Sequence, residues 1–429
     1  MRSIKITKNP FLLFLPFLIL YIALALIFHT TGKMQDEPRY LMFAQNLIHG
    51  FYSPAPPAID IGDGPGYPIL LIPFLVLGLP LIWVTLINAA LYYISIILLF
   101  KALLQFVSFP MALIFSLFWA CYYNSYENIA LTVPETFTAF LISLLIFYLL
   151  AAFNPLNAKK AKKYIFFCGF IVGYIALTKV IFGYVLLFML LGSALLWIVN
   201  RKNPNYRKVV TIFLIALATS APYLIYTYHI SHRVLYWGTT GGENLYWMST
   251  PFKGEYGSWV QYPIDANIKK NTFSGAEDSI LSNHQKELTE IFKFKGVERD
   301  DAYKRIAINN IKSHPVKFIK NCISNIGRLL FNYPYSYTLQ KNATLLRLPL
   351  SGILTVLMMI CIIPTFIKWQ RLIFPLRIML FFVLLYLGGS ILASAETRMF
   401  TVIIPVLLFW VAYIIQRSLK FQFRFDETT

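Results

Sequence analysis

Residues 10–40 read PFLLFLPFLILYIALALIFHTTGKMQDEPRY. Phe11–Phe28 is an uninterrupted apolar run, close to the roughly 20 residues with which a helix crosses a hydrocarbon core about 30 Å thick. It follows a basic start at Arg2, Lys5 and Lys8 and outlasts the about 7–15 apolar residues of a secretory leader. Ala23 and Ala25 form an A-x-A pattern, but the run continues past them. The expectation is an uncleaved first transmembrane helix with its N-terminus inside. Directly behind it stand Asp36 and Glu37, the first acids of the chain.

The rest of the chain repeats this grammar. Hydrophobic residues make up 58% and charged residues 13%, against about 25% charged in a water-soluble domain. The chain therefore lacks the polar surface to cover a soluble globule. A net charge of +19 suggests nucleic acid until its placement is read. The basic residues gather between apolar runs, at Lys159, Lys160, Lys162 and Lys163; at Arg201, Lys202, Arg207 and Lys208; at Lys368, Arg371 and Arg377; and at Arg417, Lys420 and Arg424. Short basic loops of this kind stay cytoplasmic. Cys121, Cys168, Cys322 and Cys361 form no CxxC pair and read as packing residues.

Placing every basic cluster inside predicts an all-α polytopic membrane protein of about ten transmembrane helices. The spans fall near 11–28, 81–100, 111–123, 134–153, two between Lys163 and Arg201, then 209–228, 348–367, 376–393 and 400–416. Residues 1–228 form an N-terminal transmembrane module whose first external loop, 29–79, carries the candidate chemistry. An external segment, 229–345, holds an amphipathic helix, and residues 346–429 form a C-terminal transmembrane module with a cytoplasmic tail. Gly66–Gly78 is apolar but too short to span, so a re-entrant or interfacial segment is expected. In the first loop, Pro38 suits a helical first turn, Asp36 and Glu37 its N-cap region, and Gly50 its stop. Tyr40, Leu41, Ala44, Leu47 and Ile48 share one face, which predicts a helix lying on the membrane. Val316, Ile319, Ile323, Ile326 and Leu330 repeat that pattern behind Ser313, a second interfacial helix.

Charged residues away from the basic clusters are the candidates for chemistry. A helix N-terminus favours an ionised carboxylate, and such an acid at the membrane face can accept a proton from an attacking hydroxyl. Asp36 and Glu37 fit that description, although a plain capping pair explains them as well. Glu135 opens the fourth span behind Pro134. Lys179 lies alone between two apolar runs, and Arg398 precedes the last span. Isolated cations at the face from which positive charge is otherwise withheld suit an anionic lipid head group, and a guanidinium can donate two hydrogen bonds to phosphate at once. Arg39, Tyr40 and Tyr67 are candidate acceptor or donor contacts. Asp60 and Asp63 sit in IDIGDGPGYP, residues 59–68, where turn-forming aspartate outweighs a calcium loop. The histidines show no HExxH spacing; His229 and His232, three apart near a helix end, are a minor zinc alternative, and no metal ligands are assigned. Aromatic residues, 17% of the chain, are expected mainly at lipid-facing surfaces.

The ordered set resembles the GT-C-type glycosyltransferases that use polyprenyl-phosphate sugars, among them dolichyl-phosphate-mannose protein mannosyltransferases and lipid A aminoarabinose transferases. The set comprises an acidic pair after helix one, a Gly-Tyr-Pro segment before helix two and an acid opening helix four. It continues with Thr178-Lys179, the external His314-Pro315 helix and Arg398 before a Pro-containing last span. The resemblance implies transfer on the periplasmic face of the inner membrane, from a polyprenyl-phosphate-linked sugar to a hydroxyl or amine on a glycan, lipid or protein. Asp36 would then be the base, Glu135 a second acid of the site, and Lys179 and Arg398 the holders of the donor phosphate. The external segment is much smaller than a mannosyltransferase's sugar-binding insert, and metal dependence stays open. Two alternatives stand beside this reading. One is a flippase or transporter of lipid-linked sugars. The other is an enzyme like the O-antigen ligases or polymerases, in which His314 and Arg328 would matter. The glycosyltransferase reading requires residue 36 to lie no more than about 15 Å from residue 398, roughly the span of a sugar phosphate.

Overall fold

A computed structural model describes residues 9–262, 273–340 and 342–418. The basic start at Arg2, Lys5 and Lys8 and the tail residues Lys420 and Arg424 lie outside the described residues. The chain is an all-α polytopic membrane protein. Among the described residues seven helices are long and apolar enough to cross a membrane, and four further apolar helices are shorter. The helices that matter for the site are α1 (Leu15–Phe28), α2 (Glu37–Ile48), α3 (Gly66–Val76), α4 (Ile82–Leu103), α5 (Phe109–Ala120), α6 (Glu135–Phe153), α7 (Ala161–Thr178), α8 (Ile181–Val199) and α9 (Pro204–Ser231). Then follow α10 (Gly241–Met248), α11 (Ala276–Ile291), α12 (Gly296–Ser313), α13 (Pro315–Phe331), α14 (Ala343–Ile367), α15 (Phe374–Leu392), α16 (Thr397–Thr401) and α17 (Ile404–Ser418).

Three of the ten expected spans are shorter than a bilayer core. The first is divided at Phe14 into Pro10–Leu13 and α1, ahead of Pro16. The last is reduced to the 15 residues of α17. Helix α5 has only 12 residues, about 18 Å at 1.5 Å per residue, whereas the 19 residues of α6 reach about 28 Å. The difference is taken up over 121–134, where a 3-10 turn (Tyr123–Ser125) and one short helical turn (Tyr126–Ile129) are followed by irregular backbone over 130–134. Non-helical backbone at membrane depth survives only where protein satisfies it. Here Asn88 Nδ2 donates to Leu131 O at 2.9 Å, and Glu37 accepts from Thr132 N at 2.7 Å.

The first-loop helix forms as expected, with Gly50 in the left-handed region at φ +86°. Its orientation differs from the expectation. Tyr40, Phe43 and Ala44 are buried, while Met42 and Ile48 are exposed, so the aromatic face packs into the protein. The apolar stripe of α13 behaves oppositely. Val316, Ile319 and Ile323 stand exposed at 59–65%, while Asn321, Asn325, Arg328 and Leu329 are buried. Lipid is the solvent that suits such an outward face. Tyr246, Trp247, Ile280, Leu288 and Tyr303 form a separate small core within the 229–342 segment.

Candidate active site

The element order brings the N-terminus of α2, the start of α6, the α7–α8 junction and α16 to one end of the bundle. Asp36 is the N-cap residue of α2, yet its carboxylate makes no capping hydrogen bond. Its backbone carbonyl takes that role, accepting from Arg39 N and Tyr40 N at 3.1 and 3.2 Å. The freed carboxylate faces cations, with Arg398 Nη2 at 2.5 Å and Arg39 Nη2 at 3.4 Å. Burial pushes the Asp36 carboxyl up, but Arg398, Arg39 and Lys179 outweigh it and hold the group below the usual carboxylate range. Asp36 is therefore ionised at neutral pH.

Glu37 points elsewhere. It is fully buried. One oxygen accepts from Thr132 N and the Thr30 hydroxyl, and the other accepts from Met34 N at 2.9 Å. With its lone pairs committed, Glu37 ties the loop before α2 to the irregular segment before α6. Both of its oxygens are thus engaged by backbone and hydroxyl donors of the protein.

Glu135, the first residue of α6, is 2% exposed. Lys179 Nζ donates to its Oε1 at 2.8 Å, and Arg398 Nη1 lies 3.9 Å from the same oxygen. The other oxygen, Oε2, is buried with no hydrogen-bond partner. A buried carboxylate oxygen without a donor is costly and calls for a reason. Lys179 reaches Glu135 because α7 stops at Thr178, where the 62–66 loop closes in. A Cβ on Gly64 would collide with Leu177 O and one on Gly66 with Thr178 Oγ1. Only glycine permits that approach.

Arg398 joins the parts. It reaches Asp36, Glu135 and, through Nε at 2.9 Å, Glu396. Burial acts to lower its pKa, but the three carboxylates raise it well above its ordinary value. The segment leading into it is held by α13. Asn325 Nδ2 donates to Ser390 O, Ile391 O and Ala393 O, and Asn325 Oδ1 accepts from Ala395 N at 3.1 Å. Arg328 O accepts from Thr397 Oγ1 at 2.8 Å.

The acids and cations alternate along one chain: Asp63, Arg39, Asp36, Arg398, Glu135, Lys179. Guanidinium and ammonium groups thus occupy the spaces between carboxylates. Among the described residues no group of three His, Cys, Asp or Glu side chains is arranged to hold a metal ion. Tyr40 and Tyr67 are buried with their rings edge-to-face at 5.3 Å. They back the acids instead of offering a free surface. Arg328 is fully buried, donating to Tyr256 O, Pro334 O and Asn325 Oδ1, so it braces the 333–336 turn. His314 is an exposed residue between α12 and α13.

Three participants escaped the sequence reading. Asp63, taken for a turn former, pairs with Arg39 and accepts from Tyr40 Oη at 3.1 Å; Asp60 is the actual turn former, accepting from Gly62 N. Glu396, two residues before Arg398, accepts from Arg398 Nε at 2.9 Å. Arg347, at the start of α14, pairs with Glu127 at 2.6 Å, and Glu127 also accepts from Gln35 beside Asp36. Arg347 is one more lone cation at an expected external helix end, the criterion that singled out Lys179 and Arg398.

No protein-family model matches the chain, and no curated protein matches it in sequence. Among solved structures the chain is similar to two GT-C glycosyltransferases. ArnT from Cupriavidus metallidurans bound to undecaprenyl phosphate has a TM-score of 0.42 and 12% identity, over 95% of this chain and 77% of that one; its apo form gives 0.40 and 13%, over 94% and 77%. The Archaeoglobus fulgidus oligosaccharyltransferase tethered with an acceptor peptide gives 0.46 and 12%, over 94% of this chain and 49% of that one.

Proposed function

We propose that the protein is an inverting glycosyltransferase, moving a sugar from a polyprenyl-phosphate donor to a hydroxyl or amine of an extracytoplasmic acceptor at the inner membrane. The observation that carries the reading is Arg398 held between Asp36 and Glu135, with Lys179 alongside. A base, a second acid and two cations meet at one end of a membrane bundle, as displacement of a lipid phosphate requires.

The free site is already internally paired. A donor phosphate binds by drawing Arg398, and with it Lys179, away from carboxylates. Asp36 then loses the largest influence holding its pKa down, and its proton affinity rises toward that of a working base. The acceptor oxygen or nitrogen attacks the anomeric carbon as the carbon–oxygen bond to phosphate breaks. Asp36 takes the acceptor's proton, and the polyprenyl phosphate leaves in the company of Arg398 and Lys179. A single in-line displacement inverts the anomeric centre. The unused Glu135 Oε2 offers an acceptor for a donor-sugar hydroxyl.

The test uses full-length protein in lipid nanodiscs titrated with undecaprenyl phosphate. Arg398→Ala should weaken binding at least about tenfold, about 1.4 kcal/mol; unchanged affinity removes Arg398 from the donor site. Surface glycans profiled by mass spectrometry should change in cells lacking the gene. An unchanged profile favours transport.

A further inference from the structure

The end of the bundle opposite Asp36 brings together groups that the transfer chemistry does not use. Helix α6 opens with Glu135 and closes at Phe153, so its far end lies about 28 Å from Glu135 at 1.5 Å per residue. The starts of α9 and α15 converge on that far end. The Phe153 and Phe374 rings stand 5.4 Å apart, and Tyr206 meets Phe374 edge-on at the same distance. A cation lies over each ring of the pair. Lys208 Nζ is 5.2 Å from the centre of Phe153, and the Arg377 guanidinium is 5.4 Å from that of Phe374.

Both cations stand within the first two turns of a helix, where the dipole adds positive potential instead of offsetting it. Lys208 spends one of its three protons on Ala152 O at 3.3 Å, near the C-terminus of α6. The Nε of Arg377 is buried without a hydrogen-bond partner. In sequence, α6 beyond Glu135, α9 and α15 contain no acid. Two partly desolvated cations sharing one aromatic pair are costly unless an anion joins them.

What continues from the cations sets the other half of the ligand. Leu149 on α6, Val209 and Ile212 on α9, and Ile378, Met379 and Phe382 on α15 line a narrow crevice of about 20 Å³. A space that small, about enough for one water, is a seam and not a chamber, and every residue lining it is hydrophobic. A hydrated ion gains nothing there. A hydrocarbon chain finds an apolar track beginning one residue beyond each cation. A negatively charged head joined to such a chain satisfies both halves. We infer that this end of the bundle binds an anionic phospholipid of the surrounding leaflet, its phosphate between Lys208 and Arg377 and one acyl chain along the seam. The lipid ties α6 to α15, whose opposite ends lead to Glu135 and Arg398. The inference does not rest on the glycosyltransferase reading.

The experiment follows ligand binding to delipidated full-length protein in detergent, by native mass spectrometry and by thermal unfolding. Phosphatidylglycerol, cardiolipin, phosphatidylcholine and inorganic phosphate serve as probes at matched ionic strength. Phosphatidylglycerol or cardiolipin should bind and raise the melting temperature above that with phosphatidylcholine, and inorganic phosphate should not. Lys208→Gln with Arg377→Gln should weaken the anionic lipid about thirtyfold. Lys208→Arg with Arg377→Lys, which keeps the charge, should bind as wild type. Lys159→Gln with Lys160→Gln, which removes the same charge from the preceding loop, should cost far less. Equal binding of phosphatidylcholine, equal stabilisation by inorganic phosphate, or equal losses from the two glutamine pairs overturns the inference. So does anionic-lipid binding that appears only after Asp426→Asn with Glu427→Gln, since the chain's own tail is then the counter-ion. Arg398→Ala should leave phospholipid affinity unchanged; its loss there moves the lipid to the cluster around Asp36 and overturns this site without touching the donor reading.

Discussion

The adjacent acids Asp36 and Glu37 should respond oppositely to the same chemical change. In Glu37→Gln, the amide oxygen can still accept from Thr132 N and Thr30, but the amide nitrogen is turned against Met34 N, a donor facing a donor. A hydrogen bond to a charged group is worth about 1.5–3 kcal/mol and a stranded buried donor costs about 1–3 kcal/mol. Because these overlap, the net loss should be about 3 kcal/mol, roughly a hundredfold in the folding equilibrium. In Asp36→Asn, the side chain remains a hydrogen-bond acceptor, Arg398 keeps Glu135 and Glu396, and the site is partly open, so the cost should be about 1 kcal/mol or less. The assay pairs unfolding, followed by size-exclusion fluorescence after graded heating, with sugar transfer in membranes. Asp36→Asn should melt near wild type and lose transfer. Glu37→Gln should melt early while the folded fraction retains transfer. Equal melting of the two variants, or full transfer by Asp36→Asn, refutes the division of labour.

Three further expectations follow from the same geometry. Asp36 is held below the ordinary aspartate value of about 3.9, so its contribution is present above that value and fades only as pH falls through the depressed one. Arg398→Gln should therefore move the acid limb of residual transfer to higher pH; an unmoved limb detaches the base from Arg398. Lys179→Ala leaves Glu135 buried beside a single, more distant cation and should cost about 3–5 kcal/mol, whereas Lys179→Met with Glu135→Leu should recover most of it. Failure of the double variant to melt above Lys179→Ala would show that the pair is not the source of the loss. In a cysteine-free background, a cysteine at Lys33 should react with an impermeant maleimide from outside and one at Asn157 only after permeabilisation. The reverse pattern inverts the proposed sidedness.

The long apolar runs were legible because a hydrocarbon solvent imposes length and composition together, and segments such as 82–103 and 135–153 satisfy both. Asp36, Glu135, Lys179 and Arg398 stood out for a related reason, as charges placed where the surrounding pattern excludes charge. Their distances were not legible, since nothing local in 394–400 announces that Asn325 and Arg328 will grip it. Asp63 was hidden because a Gly-Asp-Gly turn explains an aspartate cheaply. Glu37 looked identical to Asp36 until its hydrogen-bond partners, one of them 95 positions away, were seen.

Helix α13 exposes valine and isoleucine on one side and, on the other, fastens the segment carrying Arg398 through Asn325 and Arg328. With that outward face resting on lipid and the chain acting as proposed, this lever would have one arm in the bilayer and one at the guanidinium of Arg398. Bilayer thickness and lateral pressure would then be reaction variables. A thinner or more tightly packed leaflet that lifts or tilts this helix would displace the arginine relative to Asp36, coupling the proposed transfer to the physical state of the membrane.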